Sequence, residues 1–375
     1  MKKFLAILLC VCMVVAIVAC NKTPDAETPT TEAPTEAPTQ APDNTPDEPT
    51  EVEYKLGMGV VVSLDSSKTG TAQVDATVAT IVTDADGKIV ACRIDVAQNK
   101  MAVAEGAVDK AATFKTKMEL GVDYGMSTSQ WSSDNDGDGR ILEWDVQTKA
   151  FEAYVVGKTV DQVKNMELKE AEGHKIAVDE ALLSAGCTIQ ITDFIDAIVK
   201  AGNDEQGVNF KTAEEFTLGV AAKSFVDSAT KAATAEADGT VAMYTDFAAT
   251  VVVDGKIVAA LNDAIQPKIA INAAGEITGK TFVATKRELK EDYGMSTSQW
   301  SSDNDEDGRI LEWYVQSAEF SKYVVGKTAA EVKALELKEA AGHMISTDEA
   351  LLSAGCTIQI NAIMEVVAQA VTNAR

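Results

Sequence analysis

The chain has 375 residues, 58 of them acidic and 33 basic, and a formal net charge of −25. A surface of that sign repels nucleic acid and anionic lipid, and it suits bound cations or a basic partner. Two histidines give no repeated Cys/His spacing for catalytic zinc, and of six cysteines only Cys92, Cys187 and Cys356 lie beyond residue 20, an odd, sparse set for a disulfide framework.

Lys2 and Lys3 precede an apolar run, Phe4 to Ala19, that is too brief and too sharply ended for a permanent membrane span. It closes in Ile17-Val18-Ala19-Cys20, which resembles a bacterial lipobox. That resemblance implies a signal peptide over 1–19, cleavage before Cys20, a diacylglycerol on its thiol, and a lipid-anchored protein on the extracytoplasmic face of the membrane. Loss of residues 1–19 removes two lysines and takes the formal charge from −25 to −27. Residues 20–51 are rich in Thr, Pro, Glu, Asp and Ala, with too little apolar surface to offset the entropy of ordering. They read as an extended tether.

The rest is long enough for two domains, and it repeats. Asp123 to Asp136 recurs unchanged as Asp292 to Asp305, and Asp179 to Ile191 as Asp348 to Ile360, at an offset of 169 residues. Two tandem domains are expected, 52–203 and 208–375. In the first, Val74–Thr83 and Lys88–Val96 are β-rich runs joined through Asp86-Gly87; in the second, Phe247–Val253 and Lys256–Leu261 are joined through Asp254-Gly255. Downstream, Phe151, Tyr154 and Val155 share one helical face that stops at Gly157. Thr159-Val160-Asp161-Gln162 and Thr328-Ala329-Ala330-Glu331 are capping boxes. Each repeat closes in an amphipathic helix, with Thr192 or Asn361 as its expected N-cap. The fold class is α+β, each repeat a small antiparallel sheet with packed helices.

The catalytic inventory is thin. His174 and His343 occupy equivalent places and read as loop histidines, and nucleophile elbows, phosphate loops and dinucleotide fingerprints are lacking. Ser184-Ala185-Gly186-Cys187-Thr188 precedes a helix, where backbone N–H groups favour phosphate; Gly186 admits a bulky group and Thr188 offers a hydroxyl. The same residues also suit a tight turn followed by a strand.

Glu119-Leu120-Gly121-Val122-Asp123-Tyr124-Gly125-Met126 and Tyr154-Val155-Val156-Gly157-Lys158-Thr159, echoed by Tyr293-Gly294-Met295 and Tyr323 to Thr328, resemble the FMN-binding domains of bacterial surface lipoproteins. The similarity spans both repeats. It implies an exported flavin transferase that joins the FMN phosphate to a threonine, and a flavin that relays electrons to a redox partner outside the membrane. The matching positions are Gly186, Cys187 and Thr188, and Gly355, Cys356 and Thr357; the family motif has Ala where Cys187 and Cys356 stand and a hydroxyl residue at Ala185 and Ala354. Tyr124, Trp131 and Trp144, with Tyr293, Trp300 and Trp313, are candidates to stack on the ring, and each equally suits a core.

A second constellation resembles an EF-hand or dockerin calcium loop: Asp134, Asp136 and Asp138, then Gly139, Ile141 and Asp145. The second copy keeps Asp303, Asp305, Asp307, Gly308 and Ile310 but has Tyr314 at the last ligand position. A calcium-binding loop and an acidic surface turn both fit. The leading expectation is a flavin electron carrier with no substrate-converting site. Its rival is a non-redox binding or structural lipoprotein with calcium-stabilised domains, and a solute-binding lipoprotein is a third reading.

Overall fold

The computed structural model describes residues 50–128, 134, 137, 139–171, 173–297 and 308–375. Cys20 and the tether up to residue 49 lie outside them, as do Trp131, Asp136, Asp138, Trp300, Asp303, Asp305 and Asp307.

Each repeat begins as a three-stranded antiparallel meander. In the first, β1 (Val52–Ser63), β2 (Thr71–Thr83) and β3 (Ile89–Ala102) pair in sequence. Along β2 the even positions Ala72, Val74, Ala76, Val78 and Val82 enter one core, and Ala79 and Ile81 enter another. Both faces of this strand are buried, so its polar residues Gln73, Thr77 and Thr80 are enclosed along with the apolar ones. The outer face is covered by α1 (Lys117–Leu120), a 3-10 turn (Gly121–Tyr124), α2 (Trp144–Val155), α3 (Val160–Lys164), the hairpin of β4 (Leu168–Ala171) and β5 (His174–Ala177), α4 (Glu180–Ser184) and α5 (Thr192–Gly202). Phe151, Val155, Phe194 and Ile198 fill the space between these helices and the sheet.

After β6 (Val208–Thr212) the second repeat lays down β7 (Thr217–Val226), β8 (Gly239–Val253) and β9 (Lys256–Ile265). Asp254 (φ 48°) and Gly255 (φ 75°) form the two-residue turn between β8 and β9. Pro267, which has no N–H to donate, separates β9 from β10 (Lys268–Ile271), and β11 (Ile277–Thr281) completes the sheet. Then α6 (Lys286–Leu289), a 3-10 turn (Lys290–Tyr293), α7 (Trp313–Tyr323), α8 (Ala329–Lys333), the hairpin of β12 (Leu337–Ala340) and β13 (His343–Ser346), α9 (Glu349–Ser353) and α10 (Asn361–Asn373) repeat the outer layer. The α+β class is therefore as expected.

The two repeats are not separate globules. The inner faces of their sheets pack on each other through one core that joins Leu56, Val60 and Val78 to Leu218, Phe247 and Ile269. Residues Pro49–Arg375 form one compact unit of four layers, helices outside and two sheets within. The boundary expected at 203/208 is crossed in both directions. β6, assigned to the second repeat, pairs with β1 as the edge of the first sheet, from Val52↔Thr212 to Leu56↔Val208. Arg287 Nη2 donates to both carboxylate oxygens of Asp204 at 3.1 Å and to Gln206 O at 3.0 Å, with the Arg287 and Asp204 side chains 7 % and 8 % exposed. Arg375 Nη2 donates to Glu152 Oε2 at 2.7 Å, a carboxylate buried on α2.

Two further details differ from expectation. The closing helices are capped at Ile191 and Ile360, not at Thr192 and Asn361, and their caps make no side-chain hydrogen bond. Both isoleucines are fully buried and their N–H groups donate to Lys175 O and Met344 O, so the core and the hairpin fix the helix start in place of a polar cap. His174 and His343 begin strands β5 and β13 and do not lie in loops.

Candidate functional site

A cavity opens in each repeat between the sheet and the outer helices, about 610 Å³ in the first and about 530 Å³ in the second. Most of the wall is repeated. Lys117, Tyr124, Met126, Trp144, Gln147 and Thr188 of the first correspond to Lys286, Tyr293, Met295, Trp313, Gln316 and Thr357 of the second, with His174 and His343 contributing to the walls.

The lysine is placed by local chemistry. Thr116 caps α1 in a capping box with Glu119, and Thr285 caps α6 in the same way with Glu288, so Lys117 and Lys286 are each the first residue of a one-turn helix. Asp95, buried in β3, accepts from Val96 N at 2.7 Å and Met118 N at 3.1 Å; Asp263 in β9 accepts from Ala264 N at 2.7 Å and Arg287 N at 3.0 Å. These bonds hold the short helix against the sheet. Burial nonetheless pushes each of the two carboxyls up to about 6.

Lys117 Nζ lies 4.9 Å from the Tyr124 ring centre and 5.3 Å from that of Trp144. Lys286 Nζ lies 4.5, 4.7 and 5.1 Å from the rings of Tyr244, Tyr293 and Trp313, and it donates to Tyr244 Oη at 2.8 Å. Burial lowers the Lys117 ammonium to about 8, with Asp75 pulling the other way. Burial likewise lowers Lys286 and raises Asp246, its neighbour at the floor.

The Tyr-Gly-Met-Ser loop is clamped across each cavity by a glutamate at the start of a helix. Glu143 accepts from Met126 N at 2.9 Å, from Ser127 N at 3.1 Å and from the Ser127 hydroxyl; Glu312 does the same for Met295 and Ser296. One turn further on, Gln147 donates to Leu142 O at 2.8 Å and accepts from Thr188 N at 2.8 Å and Thr188 Oγ1 at 3.3 Å. Gln316 repeats this with Leu311 and Thr357.

The residues expected to carry the site fall into two groups. Thr188, Thr357, Tyr124 and Tyr293 come together on the cavity walls. The threonines are 6 % and 5 % exposed, and their N–H groups serve the glutamines. Gly186, Cys187, Gly355 and Cys356 are not among the lining residues. Gly186 and Gly355 have φ of +91° and +90°, and a Cβ there would meet Leu142 or Leu311 Cδ1 at 2.4 Å, so backbone and packing require glycine. Cys187 and Cys356 are buried and free, their thiols pushed up to about 12 by burial.

The Tyr-Val-Val-Gly-Lys-Thr phrase also has a structural task. Gly157 N donates to Ile89 O at 2.8 Å and Ile89 N to Lys158 O at 2.9 Å, Lys158 Nζ sits 4.0 Å from the Tyr154 ring centre, and Tyr154 Oη donates to Asp179 at 2.7 Å. Asp179 in turn caps α4.

In the first acidic loop, Asp134 accepts from Gly137 N at 2.9 Å and Gly139 N at 2.8 Å. Asp145 sits in the first turn of α2, paired with Lys149 at 2.7 Å. Tyr314 donates to Glu291 at 2.7 Å. Among the described residues no cluster of three metal-ligating side chains forms, and five of the seven aspartates lie outside them.

Sequence reasoning missed the lysines of the cavities and took His174 and His343 for loop residues outside any site. The signal that finds the lysines is Thr-Lys-x-Glu, present as Thr116-Lys117-Met118-Glu119 and Thr285-Lys286-Arg287-Glu288: a capping box whose first helical residue is a repeated cation. No protein-family profile, no curated protein and no solved structure matches the chain.

Proposed function

We propose that this protein is a membrane-anchored, extracytoplasmic lipoprotein whose cavities bind flavin mononucleotide, making it an electron carrier with no substrate-converting site. The observation that carries the reading is the convergence of Thr188 with Tyr124, and of Thr357 with Tyr293, in one cavity per repeat. These residues stand 64 positions apart in each repeat and belong to separate motifs.

The residues fit the group. Both cavities lie within the size range of small-ligand sites and combine aromatic walls with a few polar groups. In the second repeat Tyr293 and Trp313 offer faces for a planar ring, Lys286 a cation, and Thr357 an oxygen for a phosphoester, and the first repeat has their counterparts. A bound flavin supplies one- and two-electron storage that side chains lack. The protein's part is to hold the ring, exclude water and fix its surroundings. Gln147 and Gln316 accept from the threonine hydroxyls, a contact that covalent attachment would break.

The test is flavin fluorescence on a denaturing gel with intact mass, on the mature chain from a host that carries an export-linked flavin transferase. Adducts lost in Thr188→Ala, Thr357→Ala or both support attachment there. Unchanged flavin in the double variant refutes those sites. Absence of flavin absorbance in the native protein refutes the carrier and leaves the rival, a non-redox binding lipoprotein, which the burial of both threonines and the carboxylates Asp75 and Asp193 in the first cavity favour.

A further inference from the structure

The two cavities share a floor but differ on one wall, and the strand registers show where. In the first sheet Ser63 on β1 is paired with Asp75 on β2; in the second, the corresponding pair on β7 and β8 is Phe225 and Tyr244. All four residues line their cavities. Phe225 and Tyr244 are stacked, ring centres 5.0 Å apart and planes 10° from parallel. A polar cross-strand pair in one repeat has become an aromatic stack in the other.

The differences around it point the same way. Asp193, in the first turn of α5 on the wall of the first cavity, is Ala362 in the second. Asp75 and Asp193 both act on Lys117, so its charge is answered within the protein. In the second cavity Asp246, 2 % exposed, stands where the first has Thr77 and, with Asp227 of the lining, offsets Lys286, while Phe225 and Tyr244 add two rings to those of Tyr293 and Trp313. A wall of hydroxyl and carboxylate groups stays hydrated; a wall of rings gains by covering itself with another ring.

We infer that the two cavities have parted in ligand class: the cavity of the second repeat holds a planar aromatic ring on the Phe225–Tyr244 stack, and that of the first, walled by Ser63, Asp75 and Asp193, does not. For flavin as the ring this rests on the function proposed above and narrows it from both cavities to that of the second repeat, one bound flavin per chain.

Calorimetric titration of the mature chain with FMN, and separately with anthracene-9-carboxylate as a non-flavin planar ring, tests it. One equivalent is expected, with Kd raised about tenfold or more in Phe225→Ser and Tyr244→Ala and little changed in Tyr244→Phe, which keeps the ring. Ser63→Phe with Asp75→Tyr should add a second equivalent; if that double variant does not fold, the native stoichiometry and the Tyr244 pair still decide. Anthracene-9-carboxylate bound at one Tyr244-dependent equivalent without FMN binding sinks the flavin reading and keeps this one. Two equivalents of similar Kd, binding indifferent to Tyr244→Ala, or no binding of either ring overturns it.

Discussion

Replacing Arg287 with methionine probes the joint between the repeats most directly. The guanidinium reaches back from α6 to Asp204 in the segment between α5 and β6, and both side chains are almost fully enclosed. Methionine keeps much of the volume and leaves Asp204 with only the Met58 and Gln206 N–H groups, at 3.2 and 2.9 Å. Removing one partner of a buried ion pair costs about 3–5 kcal/mol, because the remaining charge stays desolvated. For a unit the size of Pro49–Arg375, each kcal/mol moves the melting temperature by about 1.5 °C. A fall of about 4–8 °C in a single cooperative transition is expected by calorimetry. A loss below about 1 kcal/mol, or a melt split into one stable and one unstable half, would refute both the pair's importance and the shared core.

A Cβ at Gly219 would sit 1.9 Å from Ala370 O, so Gly219→Ala should lower stability by about 1–3 kcal/mol or more, whereas Gly279→Ala, whose nearest contact is an ordinary 3.5 Å, should change the denaturant midpoint little. Lys117 titrates near 8 when folded and near 10.5 when unfolded, so the folded state binds fewer protons between those values and stability should rise with pH across that window. Lys286 is shifted in the same direction, and urea midpoints of Lys117→Met with Lys286→Met should lose the rise. Asp95 and Asp263, raised to about 6, work oppositely: their contribution falls as pH climbs from the ordinary carboxylate range to about 6, which the Asn variants should abolish. Cys92, Cys187 and Cys356 should react with Ellman's reagent only after denaturation, given their burial and the upward shift of their thiols.

Local structure was legible because its determinants are local. Asp86-Gly87 and Asp254-Gly255 specify turns by their backbone preferences, and the Thr159 and Thr328 capping boxes form as read. The joint between repeats was not legible from a motif, since pairing of β6 with β1 depends on residues about 156 positions apart. Nor did β2 betray its cover on both faces: residues 71–78 alternate polar and apolar as a half-exposed strand would, yet Gln73 and Thr77 are buried. The N-caps misled because Thr192 and Asn361 have the right chemistry one position too late, where Ile191 and Ile360 are already anchored through buried side chains and hairpin bonds. At the site, threonine and tyrosine were found through phrases, while Lys117 and Lys286 needed the partnership of capping box and buried aspartate that only the folded sheet supplies.

A pair of identical sheets meeting across a two-fold axis has to be its own mould, every bulge answered by a hollow on the same surface. On one chain that demand is lifted. At equivalent places facing the shared core, β2 carries Ala72, Val74 and Val78 where β8 carries the larger Val241, Met243 and Phe247, while β1 carries Met58 and Val60 where β7 carries the smaller Val220 and Ala222. The halves have become cast and mould. A chain of two first repeats, or of two second ones, would lose this exchange of bulk between neighbouring strands and misfit in the middle. Order along the gene is thereby written into the shape of the interior, and neither half can be replaced by a copy of the other.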